Sequence, residues 1–371
     1  MISLKFAVPE HDQYSRSIHV PIDLHRRSDF ALINTLTNDE SVSLGPGAYV
    51  AIVRLPFGET VFEEFELPAA ASDTIVELKT LPQALRTYFT AAPPRQTHDW
   101  HSHLRPGWLA FNPFKYELAW VEDGSTTGRF PGPLTFEGPA NGRGRYFALL
   151  PQRSGAEPSD CYLVGVPASP YRKVEVYVTV EARRPPKLTY RWQRHTATML
   201  LEYVKQGATG RASHLSRVSE IAAMDLVDSK AEDPLAGALG LYVLLSRNAL
   251  EQIGSRSEKL FEYNPWSADG AVILAAHLTR MGEHARARAT LLELEQRGLP
   301  VFSTGFRLAM SLLESYLRSR DHSFCLLTPR AENLFKTLRE WASRVVFDEA
   351  ITMIDLPLAQ TEQLRRVVPA R

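Results

Sequence analysis

A change of apolar period constrains this chain more than any other feature. Before Arg183-Arg184-Pro185-Pro186, apolar residues recur at every second position; beyond it they recur every third or fourth. A period of two turns one face of a strand to a core, and a period near 3.6 turns one stripe of a helix. The two halves therefore predict an α+β, multidomain chain, with β-sandwich modules first and an α-helical hairpin stack after them. At 371 residues the chain is also too long for one ordinary domain. We divide it into a small β module over 1–68, a second β-rich domain with long loops over 69–186, and a helical domain over 187–371.

The first segment reads as strands at SLKFAV, HVPIDL and AYVAIVRL. In LGPGAYVAIVRLPFGETVFEEFEL, Pro46-Gly47 makes a turn and Ala48 to Leu55 a strand. Pro56-Phe57-Gly58-Glu59 turns the chain back, and Thr60 to Leu67 returns with Val61, Phe62 and Phe65 as its apolar residues. In the second segment a short helix, LPQALRTYF, follows a strand at TIVELK. KVEVYVTVEA sets Val174, Val176 and Val178 on one face against Glu175, Tyr177 and Thr179.

Beyond Pro186 the helical stretches are TATMLLEYVKQG, SRVSEIAAMDLV, DPLAGALGLYVLLSRNALEQIG, DGAVILAAHLTRMG, EHARARATLLELEQRG and TGFRLAMSLLESYLRS. Asp233-Pro234 fits an N-cap followed by the first helical position, and Gly254, Gly282 and Gly298 fit C-cap glycines. The greasy segment AGALGLYVLL is too short to cross a bilayer and reads as a buried helix. The tail FDEAITMIDLPL, with Pro357 and only short apolar pairs, is expected to pack back as an extended segment.

Composition removes several classes of function. A chain 44% apolar and 23% charged is a soluble globular protein. Basic and acidic residues balance at 42 each, 18 against 21 through Pro186 and 24 against 21 after it, so nucleic acid is not expected as the main partner. Cys161 and Cys325 are the two cysteines, too few for a disulfide framework, and both read as buried thiols. MISLKFAVPEHDQYSR has no signal-peptide pattern and no stretch suits a membrane span, so a cytoplasmic protein without a membrane partner is expected.

Three resemblances follow from these residues. The run "PGxY, strand, PxG, strand" over about 44–67 resembles carboxypeptidase-regulatory β-sandwich modules, which implies a binding or spacing role. AVILAAHLTRMGEHARARATLLELEQRG, over about 271–298, resembles a tetratricopeptide helix pair, with Ala275, Leu278 and Gly282 in the first helix and its turn and Ala287 and Leu291 in the second. The order of β modules followed by DPLAGALGLYVLL, NPWSADGAVILAAHL and RGLPVFSTGFRLAMSLL looks like non-catalytic regions accompanying bacterial caspase-like proteases. No catalytic motif of those proteases is present to carry over.

The stretch with most chemistry is RQTHDWHSHLRPGW, where His98, Asp99, His101 and His103 lie between Trp100 and Trp108. Imidazoles plus a carboxylate suit zinc, and an extended His101-x-His103 puts both rings on one side. The spacing matches no HExxH pattern, and the flanking prolines and glycine describe a loop. Trp100 and Trp108 fit either anchors for a protein interface or plugs of the second sandwich. NGRGRYF holds Arg143 and Arg145 in a turn without the phosphate-loop pattern, where they could meet an acidic partner. The arginines of ARARA and LRRVVPAR read as a solvated face.

No catalytic residue and no cofactor is predicted. The expected function is a non-enzymatic scaffold or regulatory protein that binds other proteins, among them a caspase-like protease in bacterial stress or antiviral defence, of which it would be partner or substrate. The alternative is a metal-dependent hydrolase using the His98–His103 cluster.

Overall fold

The computed structural model describes residues 2–9, 20–38, 40–55, 60–69, 73–90, 108–114, 117–121, 125–127, 133–138, 146–149, 161–169, 172–179, 185–207, 218–318 and 328–356. By contact the chain forms two compact units, Met1–Pro94 with Arg194–Asp225 and Arg95–Gln193 with Leu226–Arg371. These units cut across the segments 1–68, 69–186 and 187–371, since each combines strands of the front half with helices of the back half. The architecture is α+β, β-rich in front and helical behind.

The first unit holds β1 (Ile2–Ala7), β2 (Pro21–Arg26), β3 (Leu32–Thr37), β4 (Ser41–Leu44), β5 (Gly47–Arg54), β6 (Thr60–Leu67), β7 (Asp73–Glu77), α1 (Leu81–Thr90) and α2 (His195–Gly207). The strands form two sheets, β4-β1-β7 and β3-β2-β5-β6. One core unites them: Leu4 and Phe6, Ile22 and Leu24, Ala51 and Val53, Leu81 and Leu85, with Met199 and Tyr203 of α2.

The hairpin read between Pro46 and Leu67 is β5 and β6, in register from Gly47 opposite Leu67 to Arg54 opposite Thr60. Its apolar residues divide between the two faces of the sheet. The two-residue period carries Val61 and Leu67 to the core and sends Phe62 to the other face, where it is 57% exposed.

The second unit holds β8 (Trp108–Asn112), β9 (Glu117–Val121), β10 (Ser125–Thr127), β11 (Leu134–Glu137), β12 (Tyr146–Leu149), β13 (Cys161–Gly165), β14 (Lys173–Thr179) and β15 (Lys187–Trp192). These build the sheets β10-β11-β14-β15 and β16-β13-β12-β8-β9, where β16 is Met353–Leu356 from the far end of the chain. Phe136 of one sheet meets Trp108 and Phe147 of the other at centroid distances of 5.4 and 4.9 Å. The valine face of β14 is buried as its period requires, in register with Trp192, Tyr190 and Leu188 of β15. Strand pattern thus continues past Pro186 through Leu188-Thr189-Tyr190-Arg191-Trp192, and the helical run starts at His195. The tail packs back extended: β16 pairs antiparallel with β13, from Cys161 opposite Leu356 to Val164 opposite Met353.

α3 (Val218–Asp228) runs across the division between the units. The helices of the second unit are α4 (Pro234–Ser246), α5 (Leu250–Tyr263), α6 (Ala268–Arg280), α7 (His284–Leu292), α8 (Leu294–Arg297), α9 (Ser303–Arg318) and α10 (Thr328–Ala342). α4 is apolar all round and buried from Pro234 to Leu245, as a central helix must be. Asp233 caps it, accepting the Ala236 amide at 3.1 Å and the Ser169 hydroxyl at 2.5 Å.

The stretch 233–254 is expected to be one helix ending at Gly254. Instead Asn248 enters the left-handed region, with φ 60°, and the amides of Asn248 and Ala249 close back on Leu245 and Leu244. Asparagine tolerates that conformation better than most residues, so the helix turns there and α5 begins at Leu250. Gly254 accordingly sits inside α5. Gly282 and Gly298 do occupy C-cap positions, with φ 81° and 83°.

Candidate functional site

His98, Asp99, Trp100, His101, His103, Arg143 and Arg145 lie outside the described residues, as does Cys325. Two residues singled out from the sequence can be placed. Trp108 is 1% exposed and fills the space between the sheets of the second unit, the plug of the two readings open for it. Cys161 is buried at the head of β13. Among the described residues, no group of three or more His, Cys, Asp or Glu side chains could hold a metal.

The most unusual ionisable group is one the sequence did not flag. Asp269, in the first turn of α6, is 1% exposed. Its Oδ1 accepts the Tyr242 hydroxyl at 2.8 Å and the Phe302 amide at 3.3 Å, and its Oδ2 accepts the Val301 amide at 2.7 Å. Burial pushes the carboxyl up to about 6 even though all of these donors favour the charged form. Burial likewise lifts the Tyr242 phenol well above its ordinary value, and the adjacent carboxylate adds to the effect.

Gly305 makes room for the pair. A β-carbon there would stand 2.1 Å from the Tyr242 hydroxyl oxygen. The segment that Asp269 holds is itself tied to the sheet. The Thr352 amide donates to Val301 O at 2.7 Å, its hydroxyl to Pro300 O at 2.8 Å, and the Gly165 amide to Thr352 O at 2.8 Å. One carboxylate thereby fastens α4 and α6 to the 300–302 segment, and through Thr352 to β13.

Arg297 does a similar job nearby. Its guanidinium lies over the Phe261 ring at 4.0 Å and donates to the carbonyls of Phe261, Asn264 and Ser267 at 3.2, 3.1 and 3.4 Å. That satisfies carbonyls left open where α5 ends. Gly298, directly after it, brings the backbone so close to β8 that a β-carbon would lie 3.3 Å from Phe111 O. The buried charges of this region, Asp269 and Arg297, hold backbone segments together, Arg297 also pairing with the part-exposed Glu293 at 3.2 Å.

The first unit presents the opposite case. At the tip of the β2–β3 hairpin, Phe30, Leu32 and Ile33 are 56%, 50% and 37% exposed. Their turn is firmly built. The Phe30 amide donates to Arg26 O at 2.9 Å and the Arg26 amide to Ala31 O at 3.0 Å. His25 Nδ1 donates to Phe30 O at 2.9 Å, Asp29 accepts the Ala31 amide at 3.2 Å, and Arg26 pairs with Asp29 at 3.0 Å. Phe30 is held at φ 56°, a conformation that costs a residue with a β-carbon about 1–2 kcal/mol. Among the described residues β3 has one hydrogen-bonded neighbour, β2, and its first three residues are exposed.

Sequence reasoning missed both places. Asp269 in a first turn reads as an ordinary complement to the helix dipole, and its partner Tyr242 lies 27 residues away. FALINTLT does carry a signal, a β-forming run without charge, but its exposure follows only once β3 is known to be an edge.

The family described as Y4kD C-terminal domain has a model that matches residues 199–353, under half of the chain. The match runs from within α2 to the start of β16 and contains the whole Asp269 junction; the β2–β3 tip lies outside it. No curated protein and no solved structure matches the chain.

Proposed function

We propose that the protein is a non-enzymatic interaction protein of scaffold or regulatory type that binds other protein chains through the β2–β3 edge of its first unit. The carrying observation is the tip itself: three large apolar side chains exposed on a turn that is strained at Phe30 and held by five polar contacts. Exposed apolar residues on a rigid element are the usual anchors of protein interfaces, because little side-chain freedom is lost on binding. A strand edge adds backbone donors and acceptors that a partner strand can satisfy.

The helical hairpins of the second unit suit the same reading, as an α-hairpin stack offers a stable frame. The order of modules resembles regions that accompany bacterial caspase-like proteases, so a protease or another defence protein encoded nearby is the first partner to test. The experiment replaces Leu32 with a photo-crosslinking residue in the full chain expressed in its native cells. A discrete heterologous adduct, lost when Phe30 and Ile33 are changed to Ser, supports the proposal. Labelling no stronger than from a probe at the exposed Glu232 of the second unit would overturn it.

A further inference from the structure

We infer that His277 is an acid-sensitive latch in the helical stack of the second unit: on gaining a proton it loosens the hold of α6 on α5 and α7. The inference is independent of the β2–β3 tip.

His277 lies in the last turn of α6 and is 8% exposed. Its Nε2 lies 4.0 Å from where a β-carbon on Gly254 would stand, so the ring rests against α5. Its Nδ1 is buried and, among the described residues, meets no hydrogen-bond partner. In the charged ring both nitrogens are donors, so a proton leaves an N–H buried without an acceptor. Burial accordingly holds this imidazole below its ordinary value, against the pull of Glu258 and Glu283 and with the help of Arg280.

The two carboxylates that favour the charged ring are already engaged. Arg286 of α7 pairs with Glu258 of α5 at 3.2 Å and with Glu283, which precedes α7, at 2.5 Å. One guanidinium thus bridges α5 and the start of α7. A proton on His277 sets the imidazolium in competition with Arg286 for the same carboxylates. Both demands are met only if the ring moves toward solvent, which parts α6 from α5.

The remaining neighbours of α6 do not offer the ring a counter-charge. α4 carries no charged residue, and Arg297 binds the Ser267 carbonyl at the opposite end of α6. α9 meets α6 through Tyr316, whose hydroxyl lies 2.5 Å from Thr279 Oγ1, with Arg288 over its ring at 4.8 Å and His284 at 6.2 Å. The packing that the neutral ring supports is therefore present above about pH 6.5 and lost as pH falls through the lower value of the folded protein.

Asp269, at the other end of the same helix, is moved the other way by burial, so overall unfolding mixes the two groups and a local readout is needed. The test follows the assigned ring signal of His277 by NMR in the full-length protein between about pH 7.5 and 5. Amide-exchange protection of α5, α6 and α7, corrected for the intrinsic pH dependence of exchange, is measured alongside. The expected result is a ring that titrates below the ordinary value and protection that falls several-fold with it, but stays level in His277→Gln. Glu258→Gln changes a part-exposed side chain and removes one favourable carboxylate, so it should move both the titration and the loss of protection to lower pH. A ring that titrates at or above the ordinary value, or protection that falls equally in His277→Gln, overturns the inference. Should His277→Gln not fold, Glu258→Gln decides, and a titration and exchange profile unchanged from the wild type overturns it.

Discussion

Each unit buries some polar groups and exposes some apolar ones, and the units differ in which of these they gather in one place. The second leaves Tyr263 and Met281 exposed but gathers buried polar groups, namely Asp269, Tyr242, Ser303 and Thr352. The first buries Asp23 but gathers exposed apolar side chains, Phe30, Leu32 and Ile33, at one turn, with Phe62 and Ile75 exposed as well. A buried carboxylate is tolerated only where donors surround it, so the three donors on Asp269 mark a junction whose product is rigidity. Phe30 sits in a left-handed turn, 56% exposed with its ring 5.6 Å from that of His25, and the proposed binding role rests on that exposure. The stretch matched by the Y4kD C-terminal family model contains the junction and not the tip, which separates the part likened to that family from the part proposed to bind.

The strongest way to break this contrast is Asp269→Ala. It leaves the Tyr242 hydroxyl and two backbone amides buried without an acceptor, and we expect a loss of about 4 kcal/mol of unfolding free energy in urea melts. A loss below about 1 kcal/mol would show that the junction does not hold the second unit together.

A smaller effect follows from pH. Asp269 is raised from 3.8 to about 6 in the folded protein, so the folded state binds the proton more tightly than the unfolded state does. Its contribution to stability is fully present below about pH 4 and is lost as pH rises through about 6. The change is up to roughly 3 kcal/mol for a shift of about two units. Unfolding of the wild type and Asp269→Asn between pH 4 and 7 isolates this term, which should disappear in the variant. Parallel pH profiles for the two proteins would place the titrating group elsewhere.

How far these features were legible depended on the range of the interactions behind them. The switch in period is local, so the β and α halves, the Val174–Val178 face, the Asp233 cap and the extended tail could all be read from neighbouring residues. Caps at Gly282 and Gly298 were legible for the same reason, whereas Gly254 was misplaced because Asn248 supplied the left-handed residue six positions earlier. Phe62 shows that an apolar residue in a strand names no face until its register is known. Neither the junction nor the tip was legible. Asp269 depends on Tyr242 and on amides more than thirty residues away, and the exposure of Leu32 depends on which strand lies at the edge. The histidine stretch, the most chemical to the eye, lies outside the described residues, and the side chain beside it that could be placed, Trp108, fills a core.

The central claim is that the first unit holds Phe30 under strain for the sake of association. Phe30→Gly tests it most directly, since glycine adopts φ 56° without a β-carbon and removes the ring. Melting, and the yield of the heterologous adduct crosslinked from position 32, are measured for the variant and the wild type. The account predicts stability unchanged or raised by up to about 1 kcal/mol, because relief of the turn offsets the added freedom of the unfolded chain, together with association weakened several-fold. Association as strong as in the wild type, or association that falls only in step with a clear loss of stability, would contradict it.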